Sequence, residues 1–358
     1  MSAQTRRLLL GHYYTYPLLQ ISDIFKFLYQ STFGCEHMIS SEADAINRIR
    51  CEHASLNSPG DAISEKLDGA YSRVHLSWLD RGIDPTTLGK LFFLSAKTEK
   101  TGVEALEKKL DVVNELVSLG ELPFDKKEFN TTLDFWRAQG YPSLHHSSEF
   151  RLAYRPSYRV ISDQFVRFLP LFSEIDKRLK KGRLILAIEG GSASGKTTLA
   201  QLLRELYDCT VLHMDDFFLR PEQRTPKRFS EIGGNVDRER LLQEVMLPLS
   251  QNKKILYSRF DCEKQQLMPP LEIVSKPLTV VEGAYSMHPV LADFYDLSVF
   301  LDIGEEYQKE RILKRNSPMF AKRFFEEWIP LENAYFSETA IRDRCNICIE
   351  ISNDRTII

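Results

Sequence analysis

The sequence has few of the features that would tie it to a membrane or to an oxidising compartment. No apolar run approaches the roughly 20 residues of a transmembrane helix, and the opening stretch MSAQTRRLLLGHYYTYP is too short and too polar for a signal peptide. Its six cysteines are scattered over 358 residues and form no disulfide framework. We therefore expect a cytoplasmic protein that does not associate with membranes.

The sequence also lacks a dominant charge. It has 47 basic and 50 acidic side chains and a net charge of −3, which provides no general attraction to nucleic acid. Nucleic-acid binding through a local basic patch in the N-terminal half stays open, and nothing indicates the oligomeric state. The lone C-x-x-C pair, Cys345 and Cys348, has no second pair to complete a zinc site, so we interpret both as ordinary strand residues.

The pattern of apolar residues changes near Lys180. Before it, apolar residues recur at i, i+3 and i+4, which predicts a mostly helical domain over 1–180. After it, short apolar or β-branched runs alternate with helical patterns, so 181–358 is predicted to be an α/β domain with a parallel sheet flanked by helices. The predicted strands are 183–189, 210–214, 278–283, 297–303 and 345–351.

A phosphate-binding loop follows the first of these strands. The stretch GGSASGKTT has the spacing G-x-x-x-x-G-K-T between a strand and a helix. Backbone N–H groups of such a loop bind phosphates, Lys196 reaches the outer phosphates of ATP, and the Thr197 hydroxyl holds Mg²⁺. No GTPase motif follows Lys196. The predicted nucleotide-binding residues are Gly190, Gly191, Ser192, Ala193, Ser194, Gly195, Lys196, Thr197 and Thr198.

Acidic residues end two further strands of the predicted sheet. Asp215 follows the strand 210–214, and Glu282 ends the strand 278–283. In an open α/β sheet, ligands bind at this edge. Asp215 can accept the proton of an attacking hydroxyl, and Glu282 is placed to hold Mg²⁺, unless it is merely an exposed carboxylate at a strand end.

The segment 183–340 resembles the family of uridine kinases, phosphoribulokinases and bacterial pantothenate kinases. The shared order is G-G-S-A-S-G-K-T-T, M-D-D-F-F, N-V-D, Y-S-R-F-D-C, V-E-G and a basic helix after V-F-L-D. The resemblance implies a P-loop kinase domain that uses ATP and Mg²⁺ to phosphorylate a hydroxyl group of a small molecule, with a nucleoside as the leading acceptor.

The resemblance also implies roles for single residues. Asp215 matches the family's catalytic base and Glu282 its glutamate near Mg²⁺. Asp237 matches an acidic residue that binds ribose hydroxyls in uridine kinases, and Tyr257 matches a tyrosine of the acceptor pocket.

The lid helix of the family reads R-x-x-R-x-x-x-R-D, and here the corresponding residues are Gln308, Arg311, Arg315 and Asn316. Arg311 and Arg315 share a helix face and are predicted to stabilise charge on the transferred phosphoryl group. The alternative is a solvated basic face.

The acceptor side departs further from the family pattern, because no histidine follows Tyr257 at the position that contacts the base in uridine kinases. Arg259 and Asp261 are the local candidates for a replacement. Arg259 would favour an acceptor with a carboxylate or phosphate, and Asp261 would favour hydroxyls or an amine. Pairing of Arg259 with Asp261 that merely holds the loop is the alternative.

Two clusters in residues 1–180 remain without an assigned role. The first is FGCEH, 33–37, which could bind metal or do chemistry, although a lone cluster of this kind usually does neither. The second is HHSSEFRLAYRPSYRV, 145–160, where basic and aromatic residues alternate. It could contact a phosphate or a base, or it could serve packing between domains.

Two functions are therefore considered. The first is an ATP-dependent small-molecule kinase, with Lys196, Asp215, Arg311 and Arg315 as catalytic residues. The second is an ATP-binding regulatory switch whose helical domain binds a protein or RNA partner, suggested by the altered lid and acceptor residues.

Overall fold

The computed structural model describes residues 2–35, 39, 41–56, 64–97 and 101–352. The chain divides into two compact units, with Ser173 the last residue of unit 1 and Glu174 the first residue of unit 2. No helix in the described ranges is long and apolar enough to cross a membrane. All six cysteines are free thiols.

Unit 1 is mostly helical, which confirms the prediction for the first half of the chain. Its helices are α1 (Ser2–Thr15), α2 (Ile21–Phe33), α3 (Glu42–Ala54), α4 (Pro85–Ala96), α5 (Val103–Ser118), α6 (Lys126–Ala138), α7 (Ser148–Tyr154) and α8 (Asp163–Val166), and α9 (Leu169–Leu179) runs on into unit 2. Part of the FGCEH cluster, including His37, lies outside the described residues.

Unit 1 also contains a small antiparallel sheet that the sequence did not predict. Its strands are β1 (Ser64–Lys66), β2 (Tyr71–His75) and β3 (Tyr158–Ser162), with β2 in the middle. The central strand buries Ser72 and Arg73, so it lacks the apolar alternation by which a strand is recognised. Its partner β3 lies more than 80 residues further along the chain, which no local pattern reveals.

Unit 2 contains the predicted α/β domain. Its strands are β4 (Leu184–Gly190), β5 (Cys209–His213), β6 (Ile255–Tyr257), β7 (Phe260–Asp261), β8 (Gln266–Leu267), β9 (Leu271–Ile273), β10 (Leu278–Glu282), β11 (Leu297–Ile303) and β12 (Ile347–Ile351). Its helices are α10 (Lys196–Leu206), α11 (Pro226–Phe229), α12 (Arg238–Leu241), α13 (Leu247–Ser250), α14 (Glu305–Arg315), α15 (Pro318–Arg323), α16 (Ile329–Thr339) and α17 (Ile341–Arg344).

The main sheet is parallel, and its strand order is β12-β11-β4-β10-β5. These are the five strands predicted from sequence, and the fold class is confirmed. Strand β4 is central and all seven of its residues are buried, as expected for a parallel strand covered on both faces. Because β4 lies between β10 and β11, the loop that follows it is surrounded by the ends of both neighbours.

Two helical stretches of unit 2 contain a π-helical segment. Leu242–Met246 joins α12 to α13, and Phe324–Trp328 joins α15 to α16. Such segments insert an extra residue into the helical turn and re-aim the side chains that follow. The second one precedes α16, whose side chains reach the phosphate loop.

We predict that Gly89→Ala destabilises the protein. Gly89 lies on α4, where a Cβ atom would be 2.5 Å from Ile46 Cγ1 and 2.9 Å from Ile46 Cα on α3. Overpacking of this kind costs about 1–3 kcal/mol, more than the roughly 1 kcal/mol that alanine gains over glycine in a helix. The measurement is the free energy of unfolding of the full chain in denaturant.

The control is Gly11→Ala on α1, where no atom lies within 4 Å of the added Cβ. Only the helix-propensity gain applies there, so this variant is expected to be as stable as the wild type or up to about 1 kcal/mol more stable. Equal effects at both positions would contradict the close helix contact at Gly89.

Candidate active site

The loop between β4 and α10 has a backbone that most residues avoid. Gly190, Ala193 and Gly195 have positive φ angles of 145°, 61° and 99°. At Gly190 a Cβ atom would lie 2.5 Å from the carbonyl oxygen of Leu301 on β11, so only glycine fits. A loop of this form, leading into a helix N-terminus, aims backbone N–H groups at one point and can bind phosphate.

The two side chains after Gly195 contact protein oxygen atoms. Lys196 Nζ donates to the carbonyl oxygens of Gly190 and Gly191 at 2.8 and 2.9 Å. Thr197 Oγ1 donates to Glu282 Oε1 at 3.0 Å. Thr197 is exposed whereas Glu282 is buried. A hydroxyl beside a carboxylate is an oxygen pair that suits Mg²⁺, so these residues fit the metal role predicted for them.

Strand register brings a histidine to the same carboxylate. Glu282 on β10 pairs directly with His213 on β5, and His213 Nδ1 lies 2.6 Å from Glu282 Oε1. This hydrogen bond raises the pKa of His213. The imidazole therefore carries more positive charge near neutral pH than an ordinary histidine and offsets part of the Glu282 charge.

Asp215 lies in a short 3₁₀ turn, Met214–Phe217, directly after β5. Its side chain is accessible to solvent, yet the surrounding protein removes part of its hydration, and this desolvation raises the pKa of its carboxyl group. The negative charge of Glu282 raises that pKa further. An accessible carboxylate with a raised pKa is suited to accept a proton.

The predicted acceptor residues Tyr257 and Arg259 meet at Asp216 rather than at Asp215. The Tyr257 hydroxyl donates to Asp216 Oδ2 at 2.8 Å, and Arg259 Nε lies 3.4 Å from the same oxygen. Burial raises the pKa of Tyr257 to about 12, so its hydroxyl remains a proton donor. The alternative partner Asp261 instead accepts from the backbone of Glu263 and Lys264.

Asp237 lies deeper and has internal partners. It is 2% exposed, accepts from the Gln223 side chain at 3.1 Å, caps α12 through the Arg240 N–H and lies 3.4 Å from the Arg240 guanidinium. Arg240 also donates to the backbone oxygens of Asp216 and Ser258. Asp237 is therefore tied to the Asp216–Tyr257–Arg259 cluster through Arg240.

The two predicted lid arginines differ in position. The guanidinium of Arg311 lies 3.7 Å from the point where a Cβ of Gly195 would be, beside the phosphate loop. Arg315 is one turn further along α14 and exposed. Gln308, at the position where the family has its first lid arginine, donates to the carbonyl oxygen of Ser192 at 2.9 Å.

Two glutamates that the sequence did not single out hold the loop. Glu332 on α16 accepts from the Ser192 N–H at 2.8 Å and from its hydroxyl at 2.6 Å. Glu189, fully buried at the end of β4, accepts from the N–H groups of Gly190, Tyr285 and Met287. Glu189 could have been recognised as an acidic residue within the apolar run RLILAIE. No feature of the sequence around Glu332 indicates its contact with the loop.

Comparison with known proteins agrees with this geometry. Residues 185–318 match the model of the Phosphoribulokinase / Uridine kinase family. A pantothenate kinase of Leifsonia xyli is 28% identical over 183 residues, which cover 44% of this chain and 56% of that protein. A uridine kinase of Chlamydia pneumoniae is 28% identical over 145 residues, 37% of this chain and 62% of that protein. A thymidylate kinase of Rickettsia africae is 25% identical over 162 residues, 38% of this chain and 73% of that protein.

The fold and the loop thus define unit 2 as a P-loop domain of the kinase type. Its segment 185–318 is similar to the phosphoribulokinase and uridine kinase family, whose model it matches. The chain spans little more than half the length of the pantothenate kinase and less than two thirds of that of the uridine kinase. These relatives phosphorylate different acceptors, so they do not define the acceptor of this chain.

We predict that Glu332→Gln weakens nucleotide binding. Both Glu332 oxygens accept from Ser192, the residue before Ala193 with its positive φ. The glutamine side chain of the variant has only one acceptor oxygen. It can therefore accept only one of the two hydrogen bonds from Ser192, and its NH₂ group faces the other donor. A hydrogen bond to a charged group contributes about 1.5–3 kcal/mol, so we expect the Kd for a fluorescent ATP analogue to rise about tenfold.

The matched control is Glu338→Gln, an exposed carboxylate on the same helix, which should leave the Kd unchanged. Thermal unfolding of both variants separates a loop effect from general destabilisation. Unchanged or tighter binding in Glu332→Gln would show that the contact does not hold the loop in its binding conformation.

Proposed function

We propose that unit 2, the predicted domain 181–358, is an ATP-dependent kinase that transfers the γ-phosphoryl group of ATP to a hydroxyl of a small molecule. The observation that carries the proposal is the meeting of three strand ends. The phosphate loop after β4, Glu282 at the end of β10 and Asp215 after β5 lie at one edge of the sheet. The family match of 185–318 supports the same reaction class.

Each residue then has a role in the reaction. The loop 190–198 binds the phosphates of ATP. When ATP binds, the Lys196 ammonium group exchanges its hydrogen bonds to the carbonyl oxygens of Gly190 and Gly191 for contacts with the outer phosphates. Thr197 and Glu282 would hold Mg²⁺, which supplies positive charge beside the phosphates. Asp215 accepts the proton of the acceptor hydroxyl as its oxygen attacks.

The remaining predicted residues contact the transferred phosphoryl group or the acceptor. Arg311, which lies beside Gly195, stabilises charge on the transferred group, and Arg315 joins it when the lid closes. Tyr257 and Arg259 contact the acceptor through the Asp216 cluster, with Asp237 behind them. By the resemblance, a nucleoside is the first acceptor to test. The cytoplasmic location stays a prediction.

The decisive experiment is acceptor-dependent release of ADP from ATP and Mg²⁺. The acceptors are ribonucleosides, deoxynucleosides, pantothenate, glycerate, sugar phosphates and a nucleoside monophosphate. We expect one alcohol to stimulate release in the wild type, and Asp215→Asn to lower that rate by about 10²–10⁴.

Asp216→Asn is the matched control, because it removes the neighbouring carboxylate that binds Tyr257 and Arg259. It should raise the KM for the acceptor more than it lowers kcat. ATP binding with no stimulation by any acceptor would reject the kinase and favour the regulatory switch. Stimulation by the nucleoside monophosphate alone, with a nucleoside diphosphate as the product, would reject a hydroxyl acceptor.

The pH dependence gives a separate prediction. Asp215 must be ionised to accept a proton, and desolvation raises its pKa. Activity should therefore fall about tenfold per pH unit once the pH drops below that pKa. The acid limb of kcat/KM for the acceptor should lie above about 3.9, the ordinary value for aspartate.

His213→Gln tests whether the acid limb of the pH profile belongs to Asp215, because His213 also titrates beside Glu282. The limb should persist in His213→Gln if Asp215 causes it. Its disappearance in that variant would assign the titration to His213 instead.

A further inference from the structure

Unit 1 contains a cluster of charged and aromatic side chains that the proposed kinase does not use. The sheet register places Glu65 opposite Arg73 and Tyr158 opposite His75, so Glu65, Arg73 and Tyr158 share one face of the small sheet. Helix α2 brings Asp23 and Gln30 to this face, α1 brings His12, and the segment before α7 brings His146.

Three members of this cluster form a hydrogen-bonded chain. His146 Nδ1 lies 2.8 Å from Asp23 Oδ1, and His146 Nε2 lies 2.6 Å from the Tyr158 hydroxyl. Asp23 also accepts from the backbone N–H of Gln20 and from both the N–H and the hydroxyl of Ser147. These donors lower the pKa of Asp23 to about 2, so it is ionised.

The ionised Asp23 fixes where the protons lie. It can only accept, so His146 Nδ1 carries a proton, and burial lowers the pKa of His146 to about 4, which keeps the ring neutral. His146 Nε2 is then bare and accepts the proton of Tyr158. The phenol oxygen also accepts from Gln30 Nε2 at 3.4 Å and keeps one lone pair for another donor. His146 can take up the phenol proton while Asp23 stabilises the imidazolium.

Arg73 lies beside this chain. Its guanidinium stacks on the rings of Tyr158 and Phe27, with its central carbon 4.8 and 5.4 Å from their centroids. It donates to Gln30 at 2.8 Å and to Glu65 at 3.2 Å. Arg73 is 2% exposed, yet its Nη2 has no hydrogen-bond partner among the described residues.

His12 completes the cluster on the other side of Glu65. Its Nδ1 lies 2.5 Å from Glu65 Oε1, and its Nε2 has no partner within the described part of the chain, although the residue is only 3% exposed. Glu65 is ionised, since Arg73 and His12 hold its pKa at about 2. Burial lowers the pKa of His12, which favours the neutral ring. His12 Nδ1 therefore carries the proton and Nε2 is an acceptor.

Among the described residues the cluster thus has one donor without a partner, Arg73 Nη2, and one acceptor without a partner, His12 Nε2. The Tyr158 oxygen accepts only a long hydrogen bond from Gln30. A buried polar group without a partner is unfavourable, and each such group needs an explanation, which a bound ligand would supply here. Glu65 and Tyr158 are only half-buried, so the cluster reaches the surface of unit 1.

We propose that unit 1 carries a second small-molecule site, centred on Arg73 and Tyr158, for a ligand with an oxyanion next to an O–H group. Arg73 binds the oxyanion, and the O–H group donates to Tyr158 or His12. Hydroxy acids and phosphate groups with a remaining proton share this chemistry. The site explains the interleaved residues of 145–160, which supply His146 and Tyr158, and it does not depend on the kinase function.

The first test concerns the proton positions. In ¹⁵N-histidine spectra of the full chain near pH 7, His146 and His12 should both be neutral with the proton on Nδ1, and single histidine-to-glutamine variants assign the signals. A proton on His146 Nε2, or a charged His146 ring, would overturn the hydrogen-bonded chain.

The second test uses inorganic phosphate and glycolate as separate probes in the same spectra. We expect one or both to shift His12 and His146. A shift with phosphate alone identifies a phosphate ligand, and a shift with glycolate alone identifies a hydroxy acid. His213 reports binding at the phosphate loop, so the two locations are distinguished. No shift of His12 or His146 with either probe would overturn the proposal.

Variants then test the residues. Tyr158→Phe removes only the hydroxyl, and Arg73→Lys keeps the charge but loses the guanidinium fork. Each should weaken probe binding about tenfold, whereas Arg159→Lys, on the opposite face of β3 and paired with Glu52, should bind as the wild type does. Tyr154→Phe is the control for the hydroxyl. Unchanged probe binding in both Tyr158→Phe and Arg73→Lys would refute the site.

Discussion

The arrangement of unit 2 depends on a single buried carboxylate. Glu189 ends the central strand β4 and accepts from three backbone N–H groups, one at the start of the phosphate loop and two in the segment after β10. The Tyr335 hydroxyl on α16 donates to it at 3.2 Å. Burial raises the pKa of Glu189 to about 7, so desolvation opposes its charge while these donors stabilise it. Removing the acid would leave buried N–H groups without an acceptor, and the loop, the β10 end and α16 would lose their common anchor.

The sequence predicts those parts of this domain that depend on residues close to one another along the chain. The strand–loop–helix unit around Lys196 is recognisable because the glycines meet a backbone requirement within nine residues. The five parallel strands are recognisable because strands buried on both faces are continuous apolar runs. Asp215 and Glu282 follow from the rule that the ends of such strands form the ligand edge.

What the sequence does not predict depends on contacts between distant segments. Glu332 contacts Ser192 across 140 residues, and the extra residue of the π-helical segment Phe324–Trp328 helps determine which side of α16 faces the loop. The pairing of Tyr257 and Arg259 with Asp216 rather than with Asp215 or Asp261 is likewise settled by tertiary structure. In unit 1 the cluster around Arg73 joins five elements, and its central strand β2 shows no apolar alternation because it buries Ser72 and Arg73 beside Tyr71 and Val74.

The Asp216 cluster bears on the choice of acceptor. Arg259 would attract a carboxylate or phosphate if it were unpaired, but Asp216 lies 3.4 Å from it and also binds Tyr257. An anionic acceptor must therefore compete with Asp216 for the guanidinium, at the cost of leaving that carboxylate with Tyr257 alone. A neutral acceptor can instead donate a hydroxyl to Asp216 and keep the ion pair intact. Arg259 is half-exposed, but the Asp216 side chain is only 17% exposed, so the loss of the guanidinium chiefly leaves this carboxylate with fewer donors. We infer that the site as it stands favours a neutral polyol such as a ribose over an acid.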